Sequence, residues 1–131
     1  MTLEHGYQTL FQRCAKNPIL SAADWPYPAH SVFNPGAIRL PDTTTLLLCR
    51  VEDRRGHSHL CAARSSDGIT QWQRHPANPI VRPGENQWDH DACYKPCAIF
   101  DGQKWLLWYN GRHGDLEQIG VALHAGEDLG F

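Results

Sequence analysis

The 131-residue chain lacks several features that would settle its class at once. No apolar run comes near the length needed to span a bilayer, so no membrane segment is expected. Basic charge accumulates nowhere: 12 Lys and Arg against 14 Asp and Glu leave a formal net charge of −2. That balance excludes a surface built to track nucleic-acid phosphates. The opening residues, Met1 to Gly6, have neither the basic start nor the apolar stretch of a signal peptide, which predicts a cytoplasmic protein. Cysteine is sparse and odd in number, five in all, which argues for reduced thiols rather than a disulfide framework. Cys49 and Cys61 fall inside apolar strand patterns and read as small core residues, while Cys93 and Cys97 match no common zinc spacing. Eight His include His57 and His59 on one face of a strand, but no pair has recognised metal spacing. Neither a metal nor an organic cofactor is predicted.

Aromatic and turn-forming residues are plentiful. Five Trp and nine Pro are many for this length, and the Trp residues stand close to polar groups in the sequence. Aromatic planes beside carboxylates and amides suit a pyranose, which has an apolar face and a hydroxyl rim. Trp as ordinary core filling is the competing account.

An internal repeat organises the chain. Phe33-Asn34-Pro35-Gly36-Ala37-Ile38 matches Tyr94-Lys95-Pro96-Cys97-Ala98-Ile99. A turn and an apolar strand follow each, Leu46–Val51 and Trp105–Tyr109. Next come a polar, Gly-bearing connection and a third strand, Ser58–Arg64 and Gln118–His124. Each copy closes on an aromatic, Trp72 or Phe131, after a predicted short outer strand. Asp67-Gly68 and Asp101-Gly102 are hairpin-turn signals. Asn17-Pro18 and Asn78-Pro79 lead into the two copies, and Tyr7–Ala15 is a possible short helix or strand.

The pattern predicts an all-β fold of two tandem four-stranded antiparallel propeller blades. Residues 1–30 form an approach segment, 31–75 blade one, and 76–131 a linker with blade two, together one β domain. Two blades do not close a ring, so self-association is expected unless the chain belongs to a longer protein or packs as a small open β domain with its flanks covered. In such a fold the innermost strands line a channel. Asn34 and Lys95 would face its mouth, with Arg50, Glu52 and Asp53 at the end of the second strand and Arg112 in the equivalent connection. Asp89 and Asp91, in Trp88-Asp89-His90-Asp91, could supply an acid and a base. Caps on the local backbone are the alternative for both. Lys95 reads either as an anchor for phosphate or a substrate carboxylate, or as the partner of Asp91 or Glu52 in a salt bridge.

The segments Val32–Ala37, Leu47–Asp53, Ser58–Leu60 and Ala63–Gly68 resemble family 130 of the glycoside hydrolases. Tyr94–Pro96 through Trp108–Arg112, ending in His124–Phe131, are similar to its uncharacterised branch. The resemblance covers residues 17–131 and implies the first two blades of a five-bladed propeller. It implies a carbohydrate-active protein that binds an oligosaccharide or glycoside and, once oligomerisation assembles a full site, hydrolyses or phosphorolyses a glycosidic bond such as a β-mannoside, with inorganic phosphate as co-substrate in the second case. Asn34 and Arg50 occupy positions that look like substrate or phosphate contacts. The family's general acid is an Asp directly before a Pro, where this chain has Lys95. A non-catalytic sugar-binding or structural fragment is therefore the alternative expectation.

Overall fold

The structure, a computed structural model, describes residues 10–131. Seven strands follow one another: β1 (Ser31–Arg39), β2 (Thr45–Glu52), β3 (Ser58–Ser65), β4 (Gln73–Arg74), β5 (Ala92–Phe100), β6 (Lys104–His113) and β7 (Leu116–Ala125). β1 to β4 pair antiparallel in order, as do β5 to β7, and a single parallel pairing of Ser58 with Ala92 joins the two groups. This is the architecture of two consecutive propeller-type blades.

The outer strands depart from the expected pattern. β4 is only two residues long, and the second blade has no fourth strand among the described residues. Its closing segment instead turns at Gly126 and Gly130, both at φ +82°, a backbone region that costs glycine little. The segment then hooks over the junction between the blades. The Trp105 indole N–H donates to the Glu127 carbonyl at 2.8 Å, the Leu129 carbonyl meets His75 Nε2, and Phe131 packs edge-on against the His75 ring. Of the possible element Tyr7–Ala15, residues 7–9 lie outside the described residues and residues 10–15 form neither helix nor strand. Among the described residues one 3-10 turn occurs, Ala22–Asp24, closed by the Asp24 carboxylate accepting the Ser21 amide at 2.8 Å.

Alternation along the strands builds two apolar layers. One lies between the blades: Leu46, Leu48, Leu60 and Ala62 of the first meet Ala98, Trp105, Leu107 and Tyr109 of the second. The other lies behind blade one, where Trp25 covers Cys49, Val51 and Cys61 with help from Leu20 and Tyr27. Cys49 and Cys61 stand directly opposite each other, buried and reduced. Burial pushes the Cys61 thiol up to about 11, so it is an inert core group at neutral pH.

Close approaches explain two of the glycine placements. A Cβ on Gly36 would stand 2.4 Å from the Pro96 carbonyl oxygen, so the innermost strands touch where only glycine fits. The Trp88 ring lies over Gly111 and Gly120, where added Cβ atoms would stand 2.4 Å and 2.3 Å from it. The linker into blade two is stitched to the outer edge of β3. Asn78 donates to the Ala62 carbonyl and accepts its amide at 3.0 and 2.9 Å, and Leu60 exchanges backbone bonds with Ile80 and Val81.

Candidate functional site

The innermost strands break register at matching places. The β1–β2 ladder shifts between Phe33 and Gly36, and the β5–β6 ladder between Tyr94 and Cys97. Within each gap sits a non-glycine residue in the left-handed region followed by proline: Asn34 at φ +49° and Lys95 at φ +52°. Proline brings no N–H to the ladder, so the interruption leaves no donor stranded there. Asn tolerates this backbone region; Lys does so at greater cost. Residues held there against preference cluster at binding sites, where the surrounding structure fixes them.

Arg50 occupies the centre of this region. Its guanidinium lies between two aromatic rings, 4.5 Å from the centroid of Phe33 and 4.7 Å from that of Tyr94. Nε donates to the buried Ser58 hydroxyl at 2.8 Å, one terminal nitrogen reaches Asn34 Oδ1 at 3.4 Å, and the other stands 3.6 Å from Glu52. Two ring faces and three polar partners leave the planar cation little freedom. A guanidinium fixed this way presents its remaining donors to an oxyanion or to vicinal hydroxyls with the reorganisation already done. The blades meet here, since Phe33, Asn34, Glu52 and Ser58 come from the first and Tyr94 from the second.

Glu117 was not among the residues the sequence pointed to. The Tyr94 hydroxyl donates to its carboxylate, and this bond, after burial, raises the Tyr94 pKa. Glu117 stands opposite Arg112 in the β6–β7 register. That pairing was the available signal: once Gly114 is read as the hairpin turn, Arg112 and Glu117 face each other across it. Phe33, Tyr94 and Ser58 also escaped notice, because stacking and burial on Arg50 exist only after the blades dock.

The remaining candidates separate. Lys95 is exposed and pairs with neither Asp91 nor Glu52. Arg112 turns toward its own hairpin, with a terminal nitrogen 3.4 Å from the Gly114 carbonyl. Asp53 serves its loop: its oxygens accept the Arg55 and His57 amides and the Arg55 side chain. Asp89 is buried beside Trp88 and accepts the Tyr109 hydroxyl at 2.8 Å and the Gly84 amide at 3.0 Å. Asp91 accepts the Gly114 amide at 2.6 Å and bonds His90 Nδ1 at 3.0 Å. The amide first and then His90 hold the Asp91 carboxyl below its ordinary range. Such a group is ionised at neutral pH and suits an acceptor or base better than a proton donor. Among the described residues, no three His, Cys, Asp or Glu side chains gather as a metal site, and no helix is long and apolar enough to cross a membrane.

No protein-family model matches the chain, and no curated protein resembles it closely enough in sequence to count as a match. Solved structures do resemble it in fold. One, described under the statement that the GH130 family of mannoside phosphorylases contains glycoside hydrolases targeting β-1,2 mannosidic linkages in Candida mannan, aligns at a TM-score of 0.67 with 22% identity. A glycosyl hydrolase from Bacteroides ovatus aligns at 0.65 with 21% identity. A further glycoside hydrolase aligns at 0.63 with 16% identity. The first two alignments cover 86% of this chain and 37% of the other; the third covers 91% and 33%. The likeness establishes the fold, and the chain spans about a third of the length of these proteins.

Proposed function

We propose that this chain forms the Arg50-centred part of a carbohydrate site in a glycosidase-like propeller. The observation that carries the reading is the Arg50 cation, held between Phe33 and Tyr94 with Asn34 and Glu52 at its edge. Aromatic edges, an amide, a carboxylate and a fixed guanidinium supply both the apolar and the polar halves of sugar recognition. The fold relatives support the substrate class, a glycoside, and the likeness to the GH130 structure, whose family contains hydrolases that target β-1,2 mannosidic linkages, favours a β-mannoside. In a completed site the bond would be cleaved by water or by inorganic phosphate. Asp91, ionised and part-exposed, is the better placed of the two carboxylates to accept a proton or a substrate hydroxyl. Asp89, buried and engaged by Tyr109 and Gly84, has a structural role in blade two. Lys95 extends the positive edge of the mouth toward phosphate or a substrate carboxylate. Self-association through the open face of blade two is the route by which further strands would reach the mouth.

The binding part of this reading is tested by titrating the full chain with β-mannosides, with and without phosphate, and following amide NMR shifts. Saturable shifts around Asn34, Arg50 and Tyr94 that vanish in Arg50→Ala are expected. Shifts that are absent, or that survive Arg50→Ala, would overturn it. Any hydrolysis or phosphorolysis separates the alternatives further: activity undiminished by Asp91→Asn removes Asp91 from the chemistry, whereas binding without turnover favours a non-catalytic sugar-binding module.

A further inference from the structure

A second cleft, of about 590 Å³, opens at the same end of the sheets as Arg50 but toward the outer edge of blade one. The β2–β3 hairpin loop forms one side, with Arg54 and His57. The linker forms the other with Arg82, and Tyr27 and His59 lie at the base. Pro28, Pro79 and Pro83 stiffen the walls.

The charge in this cleft is unevenly satisfied. Asp53 is already saturated by two amides and by Arg55, which it holds at 3.2 Å. Arg54 and Arg82 have no carboxylate within ion-pair reach among the described residues, and Glu85 is the one other acid on the lining. His59 Nε2 is engaged by the Tyr27 hydroxyl at 2.7 Å, which fixes the base of the cleft. Burial first, with Arg82 acting in the same sense against Asp53, lowers the His59 pKa.

We infer that this cleft binds a phosphate-type oxyanion, gripped by Arg54 and Arg82 from its two sides. Planar guanidinium forks match the oxygen spacing of such a group and donate paired, charge-assisted bonds. Both arginines are exposed at the rim, Arg54 on the hairpin loop and Arg82 on the linker directly before Pro83, so their donors are free to meet an incoming anion. The oxyanion could be free inorganic phosphate or the phosphoryl group of a sugar ester. The inference stands apart from the reading of the mouth, since no residue is common to the two sites.

The test titrates the full chain with inorganic phosphate at constant ionic strength, following amide NMR shifts. Saturable shifts at His57, Arg82 and Gly84 are expected. Arg54→Gln and Arg82→Gln should each weaken binding about tenfold or more, the usual scale for losing a charged hydrogen bond. Arg82→Lys should weaken it less, and Arg74→Gln, on the exposed β4, should leave it unchanged. Shifts at the mouth belong to the other site and should disappear in Arg50→Ala while those in the cleft persist. Shifts that never saturate, that respond equally to Arg74→Gln, or that vanish with Arg50→Ala would overturn the inference. A hexose 1-phosphate that binds tenfold more tightly than inorganic phosphate identifies the ester as occupant; equal affinity identifies the free ion.

Discussion

Ile38, Leu46, Leu48 and Ala62 of blade one have counterparts in Ile99, Leu106, Trp108 and Val121 of blade two, as the matching hairpin registers show. In the first blade this face is sealed by the second, and Leu46 and Leu48 are almost wholly buried. In the second blade the same face is open: Ile99 is 50% exposed, Val121 48% and Ile119 77%. Blade one is also covered behind, by Trp25 and its neighbours, whereas blade two presents a row of apolar residues to its surroundings. Identical patterning thus gives a core in one place and an uncovered surface in the other. What differs is the neighbour, which strand periodicity does not encode.

The comparison breaks most sharply at Leu60 and its counterpart Ile119. Leu60 is fully buried between the blades, so Leu60→Ala should cost about 3 kcal/mol in urea unfolding through lost burial and a residual cavity. Ile119→Ala should change stability by less than about 0.5 kcal/mol in the isolated chain, as expected for an exposed site. Near-equal losses would mean that the second face is covered in solution.

Next in size is Tyr109→Phe. Tyr109 is the last strong donor to the inner oxygen of Asp89, whose other close contact there is the Cys93 thiol at 3.7 Å. Its removal should cost about 1–3 kcal/mol, because it strands a buried carboxylate oxygen. Blade two should then lose amide-exchange protection before blade one.

The open face itself is probed by Val121→Lys combined with Leu123→Lys. If a second copy covers this face, light scattering of the parent chain will show a concentration-dependent mass, and the double variant will be monomeric with little change in monomer stability. A monomeric parent chain removes self-association and leaves the mouth to be completed by other sheet elements.

The sequence was most legible where local chemistry and repetition agree. The Asn34-Pro35 and Lys95-Pro96 pairs marked the innermost strands, and both prove to be register breaks with a left-handed residue. Arg50, Asn34 and Glu52 were readable together because they flank one short hairpin. The outer strands were less legible: glycine turns and tertiary hydrogen bonds from Trp105 and His75 draw residues 126–131 away from strand geometry. The Tyr94–Glu117 bond and the Arg50 stack cross between elements, so they depend on docking rather than on any local pattern. Asp89 and Asp91 look alike in sequence, yet one is buried on Tyr109 while the other binds the next hairpin. Partners distant in sequence, Gly84 and Tyr109 for Asp89 and Gly114 for Asp91, separate their environments.

The finest version of the comparison lies in the two hairpin turns. In blade one, Asp42 accepts the Thr44 amide and hydroxyl; in blade two, Asp101 accepts the Gln103 and Lys104 amides and the Lys104 ammonium at 2.9 Å. Both carboxyls are lowered, Asp42 first by the Thr44 hydroxyl and Asp101 first by the Lys104 side chain, which brings Asp101 to about 2. A lowered folded-state value means that the stabilisation is fully present above the ordinary 3.8 and is lost as pH falls toward 2. Both turns therefore weaken as pH falls below the ordinary carboxylate range, but for different reasons. Hydrogen bonds to neutral groups respond little to salt, whereas an exposed ion pair is screened within about 10 Å at 0.1 M and more closely at higher ionic strength. Carboxyl-carbon NMR titrations at low salt and at about 0.5 M should show the Asp101 midpoint moving upward while that of Asp42 stays nearly fixed. Parallel movement of the two would mean that the Lys104 ammonium is not what distinguishes the turns.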